Sequence, residues 1–260
     1  MNQFNEFEGK RFVISGASSG IGKKIVTDLA NYGAFILALG RDQDRLNSLK
    51  ILHPNRITVE SFDITDFSKL KLAIEKFSQE GKVDGCVHSA GINKFTPLKI
   101  LNWDIFDKIM KVNLYAGIEL TRIVSSKKNS NEGCSIILIS SVAGIKGEAG
   151  LTAYSASKGA LISAMKSMAL ELASSKIRLN SISPGVVKTE LTESMEKYYP
   201  DGTDSIIKKH PAGIGQVEDV SNLVLFLLDP KSKWITGSNF IIDGGYRIHH
   251  NAKSNSHPHP

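Results

Sequence analysis

The 260-residue chain contains few cysteines and has no long apolar run. Its two cysteines, Cys86 and Cys134, are too few for the disulfide framework of a small secreted domain, and each begins an apolar run. We expect both to be small buried residues in a reducing compartment. The longest apolar runs, such as residues 223–228, are far shorter than the ~18 residues that span a bilayer, and the N-terminus lacks a signal-peptide pattern. The sequence therefore predicts a soluble, cytoplasmic protein with no membrane segment.

The sequence also lacks a Pro-, Gly- or Ser-rich linker that would divide it. Its length is sufficient for one fully cored domain, and we predict a single α/β domain over residues 1–246 with a disordered tail over residues 247–260. The net charge is +6, but the lysines are scattered in pairs without interleaved aromatic residues, so we predict no nucleic-acid partner. Four of the seven histidines lie in residues 249–260, where the absence of a core pattern argues against a metal site.

Short apolar runs alternate with segments that have apolar residues at helical spacing. The runs predict strands at residues 11–15, 34–39, 57–61, 83–87, 136–139, 177–182 and 240–242. The other segments predict helices after residue 22 and at residues 42–52, 66–80, 103–124, 151–173 and 217–228. This alternation predicts an α/β fold, a doubly wound Rossmann-type domain with a seven-stranded parallel sheet. In such a fold, ligands bind at the carboxyl ends of the strands.

A glycine-rich turn follows the first predicted strand. It consists of Gly16, Ala17, Ser18, Ser19, Gly20, Ile21 and Gly22. Free backbone N–H groups and the helix dipole bind anions at a helix start, so a strand, a glycine turn and a helix in this order predict a phosphate site. A Walker P-loop is excluded, because Ala17 stands where its first glycine would be and neither Ser nor Thr follows Lys23. Glycines also serve tight packing alone, but this setting favours binding.

Tyr154 and Lys158 are separated by one helical turn, so a helix places both side chains on one face. A tyrosine that transfers protons at neutral pH needs its pKa lowered from ~10 toward ~7, and an ammonium group within ~4–6 Å can supply much of that change. We expect Lys158 to do so. A Tyr-x-x-x-Lys pair alone is common in ordinary helices. Ser141, thirteen positions before Tyr154, closes a predicted buried strand, where its hydroxyl faces the ligand crevice.

The glycine spacing and the set of Ser141, Tyr154 and Lys158 resemble those of the short-chain dehydrogenase/reductase family over about residues 10–246. The resemblance, strongest to the 3-oxoacyl-[acyl-carrier-protein] reductases, implies hydride transfer between a nicotinamide cofactor and a carbonyl or secondary alcohol. It implies that Ser141 binds the carbonyl oxygen, Tyr154 donates the proton and Lys158 holds the ribose. Asn113 is mildly unfavourable inside a helix, and the resemblance implies that it supports a proton relay to the lysine.

The second predicted strand ends in Gly40, Arg41 and Asp42. An acidic residue at this strand end would bind the ribose 2′-hydroxyl of NAD, whereas an arginine pairs with the 2′-phosphate of NADP. The usual acidic position corresponds to Gly40, which is followed by Arg41, and Ser18 offers a further hydroxyl contact. We therefore predict NADP. NAD is the alternative, because Asp42 is adjacent.

The resemblance assigns further cofactor contacts to residues at the strand ends. It implies that Asp63 contacts the adenine, and that Val187 and Thr189 hold the nicotinamide amide and the pyrophosphate. The predicted cofactor set is Gly16, Ser18, Ser19, Gly20, Ile21, Gly22, Arg41, Asp63, Ile64, Ala90, Gly91, Tyr154, Lys158, Pro184, Gly185, Val187 and Thr189. His88 departs from the family, which usually has asparagine at this position, and we interpret His88 as a structural residue.

The sequence leaves the substrate open. Acyl-carrier reductases often have an arginine where this chain has Ser174 and Ser175, so a sugar, a polyol or another secondary alcohol is the alternative substrate. A non-catalytic NADP-binding regulator is the alternative from another class of protein. A homotetramer or homodimer is expected, since the helices at 103–124 and 151–173 carry apolar residues on more than one face. Residues 190–215 lack a core pattern, which predicts a mobile substrate lid.

Overall fold

The computed structural model describes residues 5–193 and 210–248. Its centre is one sheet of seven parallel strands in the order β3-β2-β1-β4-β5-β6-β7. The strands are β1 (Arg11–Ser15), β2 (Phe35–Gly40), β3 (Ile57–Ser61), β4 (Val83–His88), β5 (Ser130–Ile139), β6 (Arg178–Pro184) and β7 (Asn239–Ile242). This sheet confirms the predicted α/β fold and the number and direction of its strands.

Helices cover both faces of the sheet. They are α1 (Gly20–Asn31), α2 (Gln43–Leu52), α3 (Phe67–Gln79), α4 (Trp103–Met110), α5 (Ala116–Val124), α6 (Ala143–Lys146), α7 (Thr152–Ala173), α8 (Glu190–Glu193) and α9 (Val217–Leu228). Short 3₁₀ turns lie at Asn5–Phe7, Leu98–Ile100 and Pro230–Ser232. The predicted helices and strands are confirmed with small shifts at their ends, apart from two regions.

The structure differs from the predicted elements in β5 and in the helix over residues 103–124. β5 begins at Ser130 rather than at residue 136, because Ser130 still pairs with Val83 across a register shift. Residues 131–133 of this strand are exposed, so no apolar pattern reveals them. The helix is interrupted between α4 and α5 by a π turn, Lys111–Tyr115. Such turns occur frequently at functional sites, and this one contains Asn113.

Two apolar layers pack on opposite faces of the sheet. On one face α1 and α9 cover strand residues such as Ile14, which belongs to the same cluster as Val224 of α9. On the other face α3, α5 and α7 pack, and Leu120 and Leu161 join the cluster that contains Val13. Because the central strands are buried on both faces, they appear in the sequence as continuous apolar runs.

The strand order places β1 beside β4 at the centre of the sheet. Ser15 at the end of β1 is in register with His88 at the end of β4. The connections that leave these two strands diverge toward opposite sides of the sheet, which opens a crevice at their carboxyl ends. The loops that follow β1, β2, β3 and β4 surround this crevice and carry most of the predicted cofactor residues.

Two aspartates fix the starts of helices beside the crevice. Asp42 is the N-cap of α2 and its Oδ1 accepts the backbone N–H of Arg45 at 3.0 Å. Asp66 is the N-cap of α3 and accepts the backbone N–H of Lys69 at 3.1 Å. Each contact satisfies a backbone donor that a helix start otherwise leaves unpaired.

No helix within the described ranges is long and apolar enough to cross a membrane. Most of the predicted lid, residues 194–209, and residues 249–260 of the predicted tail lie outside the described residues. Close to the end of the second described range, the backbone N and the Nε of Arg247 each donate to Asp243 at 3.1 Å. This contact lies just beyond the predicted domain end at residue 246.

Candidate active site

The glycine-rich turn packs the start of α1 against the loop after β4. At Gly16, where φ is +69°, a Cβ atom would lie 2.6 Å from the nitrogen of Ala90. At Gly22 a Cβ atom would lie 2.2 Å from the carbonyl oxygen of Gly16. Both positions therefore need glycine, and the first turn of α1 borders the crevice. This cradle fits the diphosphate of a dinucleotide, because unpaired N–H groups and the helix dipole attract anions.

A cleft along this turn, the first cleft, collects most of the predicted cofactor residues. Those that line it are Gly16, Ser18, Ser19, Gly20, Ile21, Arg41, Asp63, Ile64, Ala90, Gly91 and Thr189. It is also lined by residues outside the predicted cofactor set, Leu39, Gly40, Phe62, Ser89, Ile92, Val112, Glu190 and Leu191. Each of these lies within two residues of a predicted site residue, so proximity in the chain is the signal that could have found them.

The remaining predicted cofactor residues do not line the first cleft directly. Gly22 is the last residue of the glycine-rich turn and packs against Gly16. Pro184 ends β6, and Gly185 lines a neighbouring cleft. Val187 is buried and forms an isolated parallel bridge with residue 215, so only its backbone can serve a ligand.

A second cleft shares Leu191 with the first and lies beside α7. It is lined by Asn93, Ser141, Val142, Ala143, Glu148, Leu151, Tyr154, Gly185, Val186, Leu191, Thr192, His210 and Tyr246. The rings of His210 and Tyr246 stack with their centroids 4.6 Å apart, and Tyr246 donates a hydrogen bond to Glu148 at 2.5 Å. The spacing of Ser141 and Tyr154 joins these two in the sequence. Residues such as Asn93, His210 and Tyr246 come from distant segments, and no sequence pattern joins them to that pair.

Ser141 and Tyr154 meet in the second cleft. A Cβ atom at Gly144 would lie 2.6 Å from the nitrogen of Gly159, so these glycines let α6 pack directly on α7. This contact brings the loop after β5, which carries Ser141, over the first turn of α7, which carries Tyr154. Both side chains line this cleft. Burial raises the pKa of Tyr154 above its usual value, and hydrogen bonding to the nearby Ser141 hydroxyl acts in the opposite direction.

Lys158 lies one turn further along α7 and is buried. Its Nζ donates a hydrogen bond to the carbonyl oxygen of Ile139 at 2.8 Å and lies 5.7 Å from the centroid of the Tyr154 ring. Burial lowers the pKa of Lys158 to about 8. The expectation that Lys158 brings the pKa of Tyr154 down is therefore wrong for this arrangement. Burial of the phenol dominates, and the lysine nitrogen is engaged by Ile139.

Asn113 is fully buried in the π turn. Its Nδ2 donates to the carbonyl oxygen of Ile92 and to Ser157 Oγ, both at 3.0 Å, and its Oδ1 accepts the N–H of Ile92 at 2.8 Å. A Cβ atom at Gly91 would lie 3.5 Å from both Asn113 Oδ1 and Lys158 Nζ. These contacts explain why a residue that disfavours helices stands here, since its amide holds the loop after β4 against α7.

His88 is also fully buried, at the end of β4. Its Nδ1 lies 2.9 Å from Ser15 Oγ, so the side chain ties β4 to β1 beneath the first cleft. Burial lowers the pKa of His88 to about 3, and the charge of Lys158 acts in the same direction. The imidazole is therefore neutral at physiological pH. Its place inside the sheet agrees with its interpretation as a structural residue.

The charged groups at the end of β2 are engaged to different extents. Asp42 accepts the backbone N–H of Arg45 through Oδ1, and its Oδ2 lies 3.2 Å from Arg45 Nε. Arg41 is exposed at the first cleft, where Ser61 Oγ donates to its carbonyl oxygen at 3.0 Å. Within residues 5–193 and 210–248 its guanidinium has no ion pair, whereas Arg45 pairs with both Asp42 and Glu190.

Asp63 lies at the same end of the first cleft. Its Oδ1 accepts hydrogen bonds from the backbone N–H of Thr65 at 3.0 Å and from Thr65 Oγ1 at 2.7 Å. These bonds lower the pKa of Asp63, and the positive charge of Arg41 acts in the same direction. Asp63 therefore presents a carboxylate to the cleft, while Asp66 caps α3.

The two clefts together offer three chemical functions. The glycine turn and α1 bind an anionic diphosphate. The hydroxyl groups of Ser141 and Tyr154 can hydrogen-bond one oxygen atom of a second molecule, and Tyr154 can give it a proton. Lys158 supplies a buried cation beside both clefts.

Comparison with known proteins agrees with this geometry. Residues 16–247 match a family model described as Enoyl-(Acyl carrier protein) reductase. The chain is 34% identical over 246 residues to the 3-oxoacyl-[acyl-carrier-protein] reductase of Thermotoga maritima, across 93% of this chain and 99% of that protein. It is 33% identical over 249 residues to a tropinone reductase homolog of Arabidopsis thaliana, across 92% and 93%. A crystal structure of a short-chain type dehydrogenase/reductase from Mycobacterium marinum has a TM-score of 0.86 at 28% identity and covers 95% of this chain and 98% of its own.

We predict that Lys158 loses its proton near pH 8, because burial disfavours the ammonium form. In protein labelled with ¹⁵N-lysine, the Nζ resonance that disappears in Lys158→Arg should titrate with a midpoint of about 8. The unfolded chain keeps this proton to a higher pH, so this group should make the folded state more stable as the pH rises from about 8 toward 10.5. A midpoint at 10.5 would contradict the buried environment.

Proposed function

The chain belongs to the short-chain dehydrogenase/reductase family, and we propose that it is an NADPH-dependent reductase that converts a carbonyl group to a secondary alcohol. Membership in this family makes it an oxidoreductase of CH–OH and carbonyl groups. The choice of NADPH and of 3-oxoacyl thioesters of acyl carrier protein as the substrate class is our proposal.

The observation that carries the proposal is the placement of the Ser141 and Tyr154 side chains in one cleft next to the anion cradle. Burial keeps the Tyr154 hydroxyl protonated at neutral pH, so it can donate to an oxygen that gains electrons. Ser141 can hydrogen-bond the same oxygen and orient it. A neutral phenol suits reduction better than oxidation, because oxidation of an alcohol needs the phenolate to accept the proton.

The residues of the first cleft fit a nicotinamide dinucleotide, which supplies the hydride when bound. We infer that Lys158 binds a ribose hydroxyl, because its Nζ lies near Gly91, which lines the first cleft, and near the ring of Tyr154, which lines the second. Asn113 holds the loop at Ile92, and its Oδ1 also lies near Gly91. We infer that Asn113 and Lys158 return a proton to Tyr154 after each turnover.

The names attached to similar proteins point to two different bonds. A 3-oxoacyl reductase acts on C=O, whereas an enoyl reductase acts on C=C. A carbonyl oxygen accepts the proton directly, which suits two hydroxyl groups that converge on one position, so we favour the carbonyl. A cyclic ketone is the second candidate, because one relative of 33% identity is named a tropinone reductase homolog and because Ser174 and Ser175 stand where acyl-carrier reductases often have an arginine.

A non-catalytic NADP-binding regulator is a weaker interpretation. Such a protein needs the first cleft but has no use for a proton donor in the second. In this chain Tyr154 and Ser141 line the second cleft together, and Ser140 Oγ donates to the carbonyl oxygen of Lys158 at 2.9 Å, which fixes α7 against the end of β5. A fold that keeps these contacts supports an enzyme.

The contacts at the end of β2 support NADPH over NADH. Both carboxylate oxygens of Asp42 contact Arg45, which makes Asp42 a poor ligand for a ribose hydroxyl. Gly40 has no side chain, and a Cβ atom there would lie 3.3 Å from Ser18 Oγ. Arg41 is therefore the charged group at the rim that can meet a 2′-phosphate, with Ser18 as a second donor.

We also propose that copies of the chain associate, as a homotetramer or homodimer, in the cytoplasm. Trp103 of α4, Tyr115 of the π turn and Leu170 of α7 are 68%, 46% and 81% exposed. Large exposed apolar side chains on neighbouring helices support a protein partner. Cys86 and Cys134 are buried free thiols, which supports a reducing compartment.

Replacing Tyr154 with Phe should lower kcat for a 3-oxoacyl thioester by about 10²–10⁴-fold, because the change removes the proton donor alone. NADPH affinity, measured by fluorescence titration, should change by less than about threefold, since the aromatic ring is kept. Tyr115→Phe is the matched control, because it removes a hydroxyl from an exposed side chain. Wild-type turnover in Tyr154→Phe would contradict the assignment.

NADPH should bind about 10- to 150-fold more tightly than NADH, because a charge-assisted contact contributes roughly 1.5–3 kcal/mol. Arg41→Ala should bring the two affinities close to parity, mainly by weakening NADPH. Lys50→Ala, which removes an exposed charge from α2, is the control and should keep the preference. Calorimetric titration of both cofactors into the three proteins measures this. A wild-type preference for NADH would instead identify Asp42 as the ribose ligand.

A further inference from the structure

We propose that His88 is a positioning residue, and that its contact with Gly117 holds the π turn, and with it Asn113, beneath the first cleft. His88 occupies a position where the family usually has asparagine, and the proposed function gives it no role. The contact itself is independent of the proposed function. Its effect on turnover rests on that function.

The His88 ring is fixed from the side of β1. Its Nδ1 lies 2.9 Å from Ser15 Oγ, and the same oxygen accepts the backbone N–H of Ala90 at 3.3 Å. Ser15 Oγ can donate its own proton to Nδ1 while it accepts from Ala90. With Nδ1 as the acceptor, the ring proton of the neutral imidazole lies on Nε2.

The opposite edge of the ring faces the π turn. Nε2 is buried, and among the described residues it has no hydrogen-bond partner within normal geometry. The Cδ2 and Nε2 atoms form the edge that approaches Gly117, two residues after the π turn. The backbone groups of Asn113 and Val112, which belong to that turn, raise the pKa of His88 against the effect of burial.

Gly117 provides the space that the ring occupies. A Cβ atom at Gly117 would lie 2.9 Å from Cδ2 and 3.3 Å from Nε2 of His88. It would also lie 3.2 Å from Leu161 Cδ1, the flexible end of a side chain that can move. An asparagine would keep an amide atom in the place of Cδ2, whereas alanine at position 88 lacks both atoms that approach Gly117. The bulk of the ring at position 88 therefore accounts for glycine at position 117.

Movement of the π turn would reach the site through Asn113. The Asn113 side chain bonds both backbone groups of Ile92, which lines the first cleft, and Ser157 of α7. Asn113 Oδ1 and Lys158 Nζ also both lie close to Gly91, each 3.5 Å from where its Cβ atom would be. Gly117 lies four residues after Asn113, so a shift at Gly117 is transmitted to the walls of the first cleft.

The test is a double-mutant cycle of His88→Ala and Gly117→Ala. In the wild-type background Gly117→Ala should lower Tm and weaken NADPH binding by about tenfold or more, because the new methyl group presses on a ring that Ser15 holds. In the His88→Ala background the same change should raise Tm, since alanine favours a helix more than glycine does, and should alter NADPH affinity by less than about threefold. Amide exchange of Ile92, whose N–H bonds Asn113, should accelerate in Gly117→Ala alone.

The outcomes separate the contact from the positioning role. Equal effects of Gly117→Ala in both backgrounds would overturn the proposed contact. A lower Tm with unchanged NADPH affinity and unchanged Ile92 exchange would show that the contact serves stability alone, which overturns the positioning role. If Gly117→Ala does not fold by itself, its recovery by His88→Ala is the predicted result, and failure to recover contradicts it. None of these readouts needs a substrate, and Tm and Ile92 exchange need no cofactor either. Absence of NADPH binding to the wild type, or of carbonyl turnover, would therefore count against the proposed function and not against His88.

Discussion

The buried amide of Asn113 joins three segments that are far apart in the chain, and the site depends on it. It accepts and donates at Ile92, in the loop after β4, and donates to Ser157 of α7. Ser157 Oγ in turn donates to the carbonyl oxygen of Tyr154 at 2.7 Å. Removing the amide would leave buried polar groups unpaired, at a cost of about 1–3 kcal/mol each. The Asn113 side chain therefore fixes the loop after β4 relative to α7, the helix that carries Tyr154.

Burial sets the protonation of the site more strongly than the pairing of charges does. It raises the pKa of Tyr154 and lowers the pKa of Lys158, because in both cases the charged form is disfavoured away from water. At physiological pH the phenol of Tyr154 therefore keeps its proton, and the pKa of Lys158 lies close to the surrounding pH. An anionic ligand in the first cleft would favour the charged lysine, which couples ligand binding to the charge beside Tyr154.

The elements that depend on local pattern were predictable from the sequence. Apolar runs indicated the seven strands, and the glycine-rich turn at 16–22 indicated the anion cradle, because it lies between a predicted strand and a predicted helix. The π turn was not predictable, since it depends on contacts such as those of Asn113 with Ile92, which only the fold brings together. The pKa direction of Tyr154 was mistaken for a similar reason, because the extent of burial follows from packing and not from the four-residue spacing to Lys158. The second cleft combines Glu148, His210 and Tyr246, and no motif links them.

In the proposed reaction Tyr154 gives a proton to a carbonyl oxygen that Ser141 orients. The most direct measurement compares NADPH oxidation with a 3-oxoacyl thioester and with the 2-enoyl thioester of the same chain length. The account predicts turnover of the 3-oxoacyl compound and no rate above the enzyme-free blank for the enoyl compound. Turnover of the enoyl thioester alone would contradict it.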